Sequence, residues 1–236
     1  MSISQLDFPQ LSVTLSNVIA AKPWLLVTGG RAPMPAWLQA VATFYPQLWS
    51  ADHGIDACLA ADCQPSHWTG DGDSISADAR CWLDELHIPQ NLLPTDKDFT
   101  DTQIALTEMA SAGATGTIIT GAFGGRFDHL YSTLFDCSQR TLPCCLIDEQ
   151  EALFYVKAGM PLTFQCHQKP KALSLIPFTE SCHGVTINNV RWTPTPTLRQ
   201  DEPSATSNEL TNADQPVTVY VTAGILGVYF YWGTHC

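Results

Sequence analysis

Basic residues are scarce in this sequence: 11 Lys and Arg stand against 23 Asp and Glu in 236 residues, a formal net charge of −12. A chain of that sign repels polyanions, which excludes unassisted nucleic-acid binding and requires a phosphate substrate to bring a cation. Long apolar runs are also missing. No stretch approaches the ~20 residues of a membrane-spanning helix, and the opening MSISQLDFPQLSV has neither the basic start nor the apolar run of a signal peptide. A soluble cytoplasmic protein is the expectation. The nine cysteines are odd in number and contain no CxxC, so they signal neither a disulfide framework nor a zinc site. We read them as reduced thiols, mostly buried. No GxGxxG dinucleotide fingerprint occurs, and no internal repeat.

What is present is enough apolar material, 45% of residues, to fill real cores. Between residues 24 and 150, short apolar runs alternate with longer helix-compatible stretches, the pattern of a parallel sheet covered by helices. Expected strands are 24–28, 47–51, 67–70, 91–93, 116–120 and 144–147. The clearest helix starts at Thr100, which has capping-box spacing to Gln103, and stops near Gly113; a second helix is expected over 130–137. Beyond Asp148 the texture becomes alternating, with strands expected at 153–156, 162–166, 172–176, 184–190 and 217–229. The expected fold class is thus α/β plus all-β: a Rossmann-like parallel sheet in residues 1–148 and a small β-sandwich in residues 149–236. Residues 193–216, rich in Thr, Pro, Ser, Asn and Asp, read as one long loop.

Three segments carry chemistry. GDGDS, 70–74, follows an expected strand and sets Asp71 and Asp73 two apart, where their carboxylates can point to one side of an extended or turned loop. Alone, DGD reads first as the chemistry of a polar turn. DKDFTD, 96–101, crowds three aspartates and Lys97 at the start of the Thr100 helix; complementing the helix dipole explains part of that acidity, and the cap at Thr100 ranks Asp101 above Asp98 as a ligand. Two such clusters after strands of one sheet meet at its carboxyl edge, where open α/β folds bind ligands, and their repulsion calls for a hard cation such as Mg²⁺. The third segment is GAFGGRFDH, 121–129. There Gly124 and Gly125 let backbone N–H groups approach phosphate and Arg126 can fork onto it, while Asp128 and His129 have both structural and ligand-binding readings.

In this order and spacing, GDGDS, DKDFTD and GGRFDH resemble the signature segments of the thiamine pyrophosphokinase family. ADHGID, 51–56, is similar to that family's DGGA segment, with His53 and Ile55 as departures; SLIP, 174–177, GVTINNV, 184–190, and TSNE, 206–209, extend the likeness. Thr133 stands where the family has asparagine. The resemblance implies transfer of the pyrophosphoryl group of ATP, as co-substrate, to the hydroxyl of thiamine, giving thiamine diphosphate and AMP. It implies a homodimer whose thiamine sites lie between subunits, with the sandwich of one chain facing the nucleotide domain of the other. It assigns Asp71, Asp73 and Asp101 to catalysis and, with Asp52, to magnesium. Lys97, Thr100, Gly124, Gly125, Arg126, Asp128 and His129 go to the nucleotide, and Ser207 and Asn208 to thiamine. Trp192 and Trp232 are candidate aromatic faces for the thiazolium cation, or sandwich core. Two rivals remain: a Mg²⁺-dependent nucleotide pyrophosphohydrolase, and a non-catalytic thiamine or nucleotide sensor.

Overall fold

The structure, a computed structural model, describes residues 4–15, 23–202 and 205–233. It divides into two compact units, one of residues 22–148 and one that joins the N-terminal segment to residues 149–236. The first strands, β1 (Ser4–Asp7) and β2 (Leu11–Leu15), therefore do not belong with the α/β half, where the sequence reading put them. The reason is pairing: Leu11 and Val13 of β2 are fully buried, and β2 runs antiparallel to a strand some 150 residues later, with Val13 opposite Phe164.

The α/β unit contains β3 (Trp24–Val27), α1 (Pro35–Phe44), β4 (Leu48–Ala51), α2 (Gly54–Ala60), β5 (His67–Gly70), α3 (Ala77–Leu86), β6 (Gln90–Leu92), α4 (Asp101–Ser111), β7 (Thr117–Thr120), α5 (Phe127–Gln139) and β8 (Cys144–Ile147). All six strands are parallel, in the order β8-β7-β3-β4-β5-β6. Strands buried on both faces carry unbroken apolar or small sequences, and every residue of β4, β7 and β8 is buried. Local signals mark three of the helix starts. Thr100 and Gln103 make the reciprocal capping box of α4, Ser76 accepts from Ala79 N at the start of α3, and Pro35 occupies the first turn of α1. The second expected helix is longer than its apolar core suggested, because α5 begins at Phe127, directly after Arg126.

The second unit is built from antiparallel pairs. One sheet has the order β1-β2-β10-β15-β13, with β10 (Leu162–Cys166), β15 (Val217–Tyr220) and β13 (Thr186–Ile187). Strand β16 (Ile225–Tyr231) pairs with both β9 (Glu151–Lys157) and β11 (Ala172–Pro177), and β12 (Ser181–His183) pairs with β14 (Thr197–Arg199). Three expectations change here. The run 217–229 is two strands, because Val221 and Ala223 turn aside to accept from Gly159 N and His183 N. The run 184–190 shortens to two strand residues, since Asn189 adopts φ 58° and spends its amide on the backbone of 212 and 215. Residues 193–216 are not one loop: they contain β14, and Asn208 and Leu210 bridge to Leu173 and Val190. Of the eight cysteines described, all are free and only Cys81 is exposed.

Candidate active site

The strand order fixes where a ligand can sit. From β3 the chain moves outward through β4, β5 and β6, then returns to lay β7 on the other side of β3, so the loops after β3 and β7 part at a topological switch point. A cavity of about 550 Å³ opens there, lined by Thr28, Gly29 and Gly30 after β3, Gly121, Ala122, Gly125 and Arg126 after β7, and the acidic loops after β4, β5 and β6. That size lies in the range of small-molecule sites.

The two glycine-containing loops are zipped together. Gly30 N donates to Gly121 O at 2.6 Å and Arg31 N to Phe123 O at 2.6 Å. Gly121 has φ 72°, and a Cβ on it would lie 2.2 Å from the Thr28 carbonyl oxygen, so only glycine fits. Thr28, Gly29 and Gly30 were missed in the sequence. The available signal was VTGG directly after an apolar strand, which on its own reads as an ordinary turn.

On the acidic side the structure gathers Asp52, Asp71 and Asp101, each offering an oxygen within 4.8 Å of the others. Asp52 takes the strained left-handed conformation, φ 49°; its N–H donates to Thr69 O and its carbonyl accepts from the Trp68 indole. Lys97 spans the other two, 3.0 Å from Asp71 Oδ2 and 3.2 Å from Asp101 Oδ1. The donor set is all carboxylate oxygen, and Asp101 Oδ1 is shut from solvent with no well-formed hydrogen bond, which suits a hard divalent cation. Asp73 is not in this group. It lines the cavity, exposed, and its N–H donates to Asp71 Oδ1 at 3.2 Å.

The carboxyls are driven apart electrostatically. Burial pushes Asp71 up, but the Lys97 ammonium and the Asp73 N–H outweigh it and hold Asp71 below the ordinary carboxylate value. Asp73 is raised by its hydrogen bond to, and repulsion from, Asp71. Burial raises Asp101 despite Lys97.

The remaining nucleotide candidates divide. Lys97, Thr100, Gly125, Arg126 and His129 line the cavity; Gly124 and Asp128 do not. Asp128 instead holds Arg126 in a two-pronged ion pair at 2.6 and 3.1 Å. Thr133, which stands where the family has asparagine, is buried at the cavity wall. In the other unit, Ser207 is exposed with φ 57°, and Asn208 is buried. The Asn208 side chain accepts from Trp192 N and Glu209 N and donates to Trp192 O, so it fixes Trp192, which remains exposed beneath Arg191. Trp232 is core: it stacks on Phe230 and donates its indole N–H to Gln168 O, which removes it as an open aromatic face within this chain.

The sequence model described as the thiamin pyrophosphokinase catalytic domain matches residues 42–146, and that of the thiamin pyrophosphokinase vitamin B1 binding domain matches 162–226. The chain belongs to the thiamin pyrophosphokinase family. A thiamine pyrophosphokinase of Bacillus subtilis is 26% identical over 149 residues, 61% of this chain and 69% of that protein. A crystal structure of thiamine pyrophosphokinase from Bacillus subtilis superposes with a TM-score of 0.78 at 22% identity, covering 90% of this chain and all of that one. A thiamin pyrophosphokinase family protein from Enterococcus faecalis gives 0.74 at 25% identity, with the same coverage. The two family matches fall one on each compact unit. The cavity with its three aspartates lies in the thiamin pyrophosphokinase catalytic match, apart from Thr28, Gly29 and Gly30, which precede it.

Proposed function

We propose that this chain is an ATP-dependent thiamine pyrophosphokinase, transferring the pyrophosphoryl group of ATP to the thiamine hydroxyl with release of AMP. The observation that carries the reading is the Asp52, Asp71 and Asp101 triad facing the switch-point loops in a chain matched by both domains of that family. We read the two units as a Rossmann-like nucleotide half and a β-sandwich thiamine half. A cytoplasmic homodimer, with thiamine held between subunits, belongs to the same reading.

Asp52, Asp71 and Asp101 would hold a magnesium ion, which when bound would supply positive charge to offset that of the phosphates. The backbone of Gly29, Gly30 and Gly125 lets phosphate oxygens approach closely, and Arg126 turns from Asp128 to bind them. Lys97 keeps Asp71 and Asp101 in place. Asp73, in its open position on the cavity wall beside the triad, accepts the thiamine hydroxyl proton. Ser207 contacts thiamine, and the Trp192 ring, fixed by Asn208, offers a face to its cationic ring.

The test is a coupled assay with ATP, thiamine and Mg²⁺, in which AMP and thiamine diphosphate appear together. ATP turnover that ignores thiamine would make the protein a pyrophosphohydrolase; calorimetric binding without turnover would make it a sensor. Either result sinks the proposal.

A further inference from the structure

The aspartate triad is assembled from loops after three different strands, so something must hold those loops in register. Between the β4–α2 turn and the β5–α3 loop the ties are side-chain bonds. His53 Nδ1 lies 2.9 Å from Ser74 O and 3.2 Å from Asp56 Oδ2. Both partners are acceptors, so Nδ1 carries the hydrogen. Ser74 in turn donates its hydroxyl to Asp52 Oδ1 at 2.5 Å, and Ser76 N sits 3.4 Å from both Asp56 carboxylate oxygens. On its other side His53 packs against the β3 loop: a Cβ at Gly29 would lie 2.9 Å from His53 Cβ and 3.3 Å from Asp52 Oδ2.

We propose that His53 is a positioning residue for the metal site. Its Nδ1–H clasps the Ser74 carbonyl to the β4–α2 turn, and that clasp sets where the Ser74 hydroxyl meets Asp52 and how far the Asp71 loop stands from Asp52. The residue touches neither cation nor substrate. Its effect passes through Ser74, which closes the GDGDS loop on one side while Arg80 Nη2, donating to Gly72 O at 3.1 Å, closes it on the other. The family pattern resembled by residues 51–56 has glycine at this place, which has no side chain to make such a clasp. The inference rests on reading the triad as a divalent-cation site.

The test compares the full-length parent with His53→Ala, His53→Asn and Asp71→Asn by two readouts: Mn²⁺ binding without nucleotide, and backbone hydrogen exchange over residues 72–76 without metal. His53→Ala should weaken Mn²⁺ binding about fivefold, the equivalent of one net hydrogen bond. It should also speed exchange at Ser74–Ser76. His53→Asn, whose amide N–H replaces the Nδ1 donor, should restore both. Unchanged exchange in His53→Ala overturns the clasp, and so does parent-like Mn²⁺ affinity where Asp71→Asn has lost it. If Asp71→Asn leaves Mn²⁺ binding intact, the cation reading itself fails, and exchange alone then decides whether His53 holds the loop.

Discussion

Replacing Lys97 with methionine removes one charge and little volume, and the structure sets the size of the effect. The ammonium lies 3.0 Å from Asp71 and 3.2 Å from Asp101, and these three side chains keep only 14, 10 and 17% of their surface exposed. At an effective dielectric constant of ~20, each pair at 3–4 Å is worth about 4–5 kcal/mol in Coulomb terms. Screening by the nearby cavity water and the cost of desolvating the ammonium reduce the net contribution to about 1–2 kcal/mol. Without metal, Lys97→Met should therefore melt about 3–6 °C below the parent. Mg²⁺ should then raise its melting temperature by more than it raises the parent's, because the cation takes over a neutralising role that nothing else in the variant fills. Scanning calorimetry of both proteins with and without Mg²⁺ reads this directly. A variant as stable as the parent without metal, or one that gains less from it, would refute the assignment of Lys97 as the built-in counterion of the triad.

Three further outcomes follow from packing and titration. Gly121→Ala puts a Cβ 2.2 Å from Thr28 O at φ 72°, so chemical denaturation should show a loss of more than about 3 kcal/mol, combining left-handed strain with displacement of the zipped loops; a loss below 1 kcal/mol, again about the left-handed penalty alone, would mean the loops do not meet as described. His67 is held below its ordinary value by burial, with Glu108 at 3.7 Å acting in the opposite sense. Because the folded state disfavours the imidazolium, this group's contribution is complete above pH 6.5 and is lost as pH falls through the lowered folded value. Melting temperatures of the parent should drop more steeply between neutral pH and pH 5 than those of His67→Gln, and equal slopes would count against it. Asn208→Ala strips three hydrogen bonds from the segment holding Trp192, at a cost of about 2–3 kcal/mol. It should also raise KM for thiamine far more than KM for ATP, and equal changes would detach Trp192 from the thiamine half.

Sequence showed most where local signals and burial agree. The parallel strands were legible because β3 and β8 are apolar throughout and β7 centres on Ile118 and Ile119, and α4 because Thr100 and Gln103 cap it reciprocally. The aspartates of GDGDS and DKDFTD could be named, yet nothing local distinguishes Asp73, which turns out beside the triad, from Asp71 within it. That difference arises from the turn at Gly72 and the reach of Lys97 across 26 residues. The N-terminal strands were invisible for a related reason: β2 is specified by its pairing with β10, a contact about 150 residues distant that no short window contains. For Trp232 the sequence leaves both a ligand face and sandwich core open, and only its burial against Phe230 and its bond to Gln168 O place it in the core; the resemblance assigns Asn208 to thiamine, and no local signal shows that its side chain also holds Trp192.

The charge balance of the cavity explains why an acidic chain suits this chemistry. Five aspartates, Asp52, Asp71, Asp73, Asp98 and Asp101, line it against Lys97 and Arg126. Of those two cations, Lys97 is already committed to Asp71 and Asp101, and Arg126 is paired with Asp128. On the proposed function, a free nucleoside triphosphate would meet net repulsion here and would have to draw Arg126 from Asp128, whereas the same nucleotide carrying a divalent ion would bring two positive charges to the oxygens that need them. On the proposed function, the acidity that weighs against nucleic acid at the outset becomes a selectivity device that favours phosphate carried as its metal complex. On the same reading it favours a second substrate that bears a permanent positive charge, so one arrangement of carboxylates would suit both substrates for opposite electrostatic reasons.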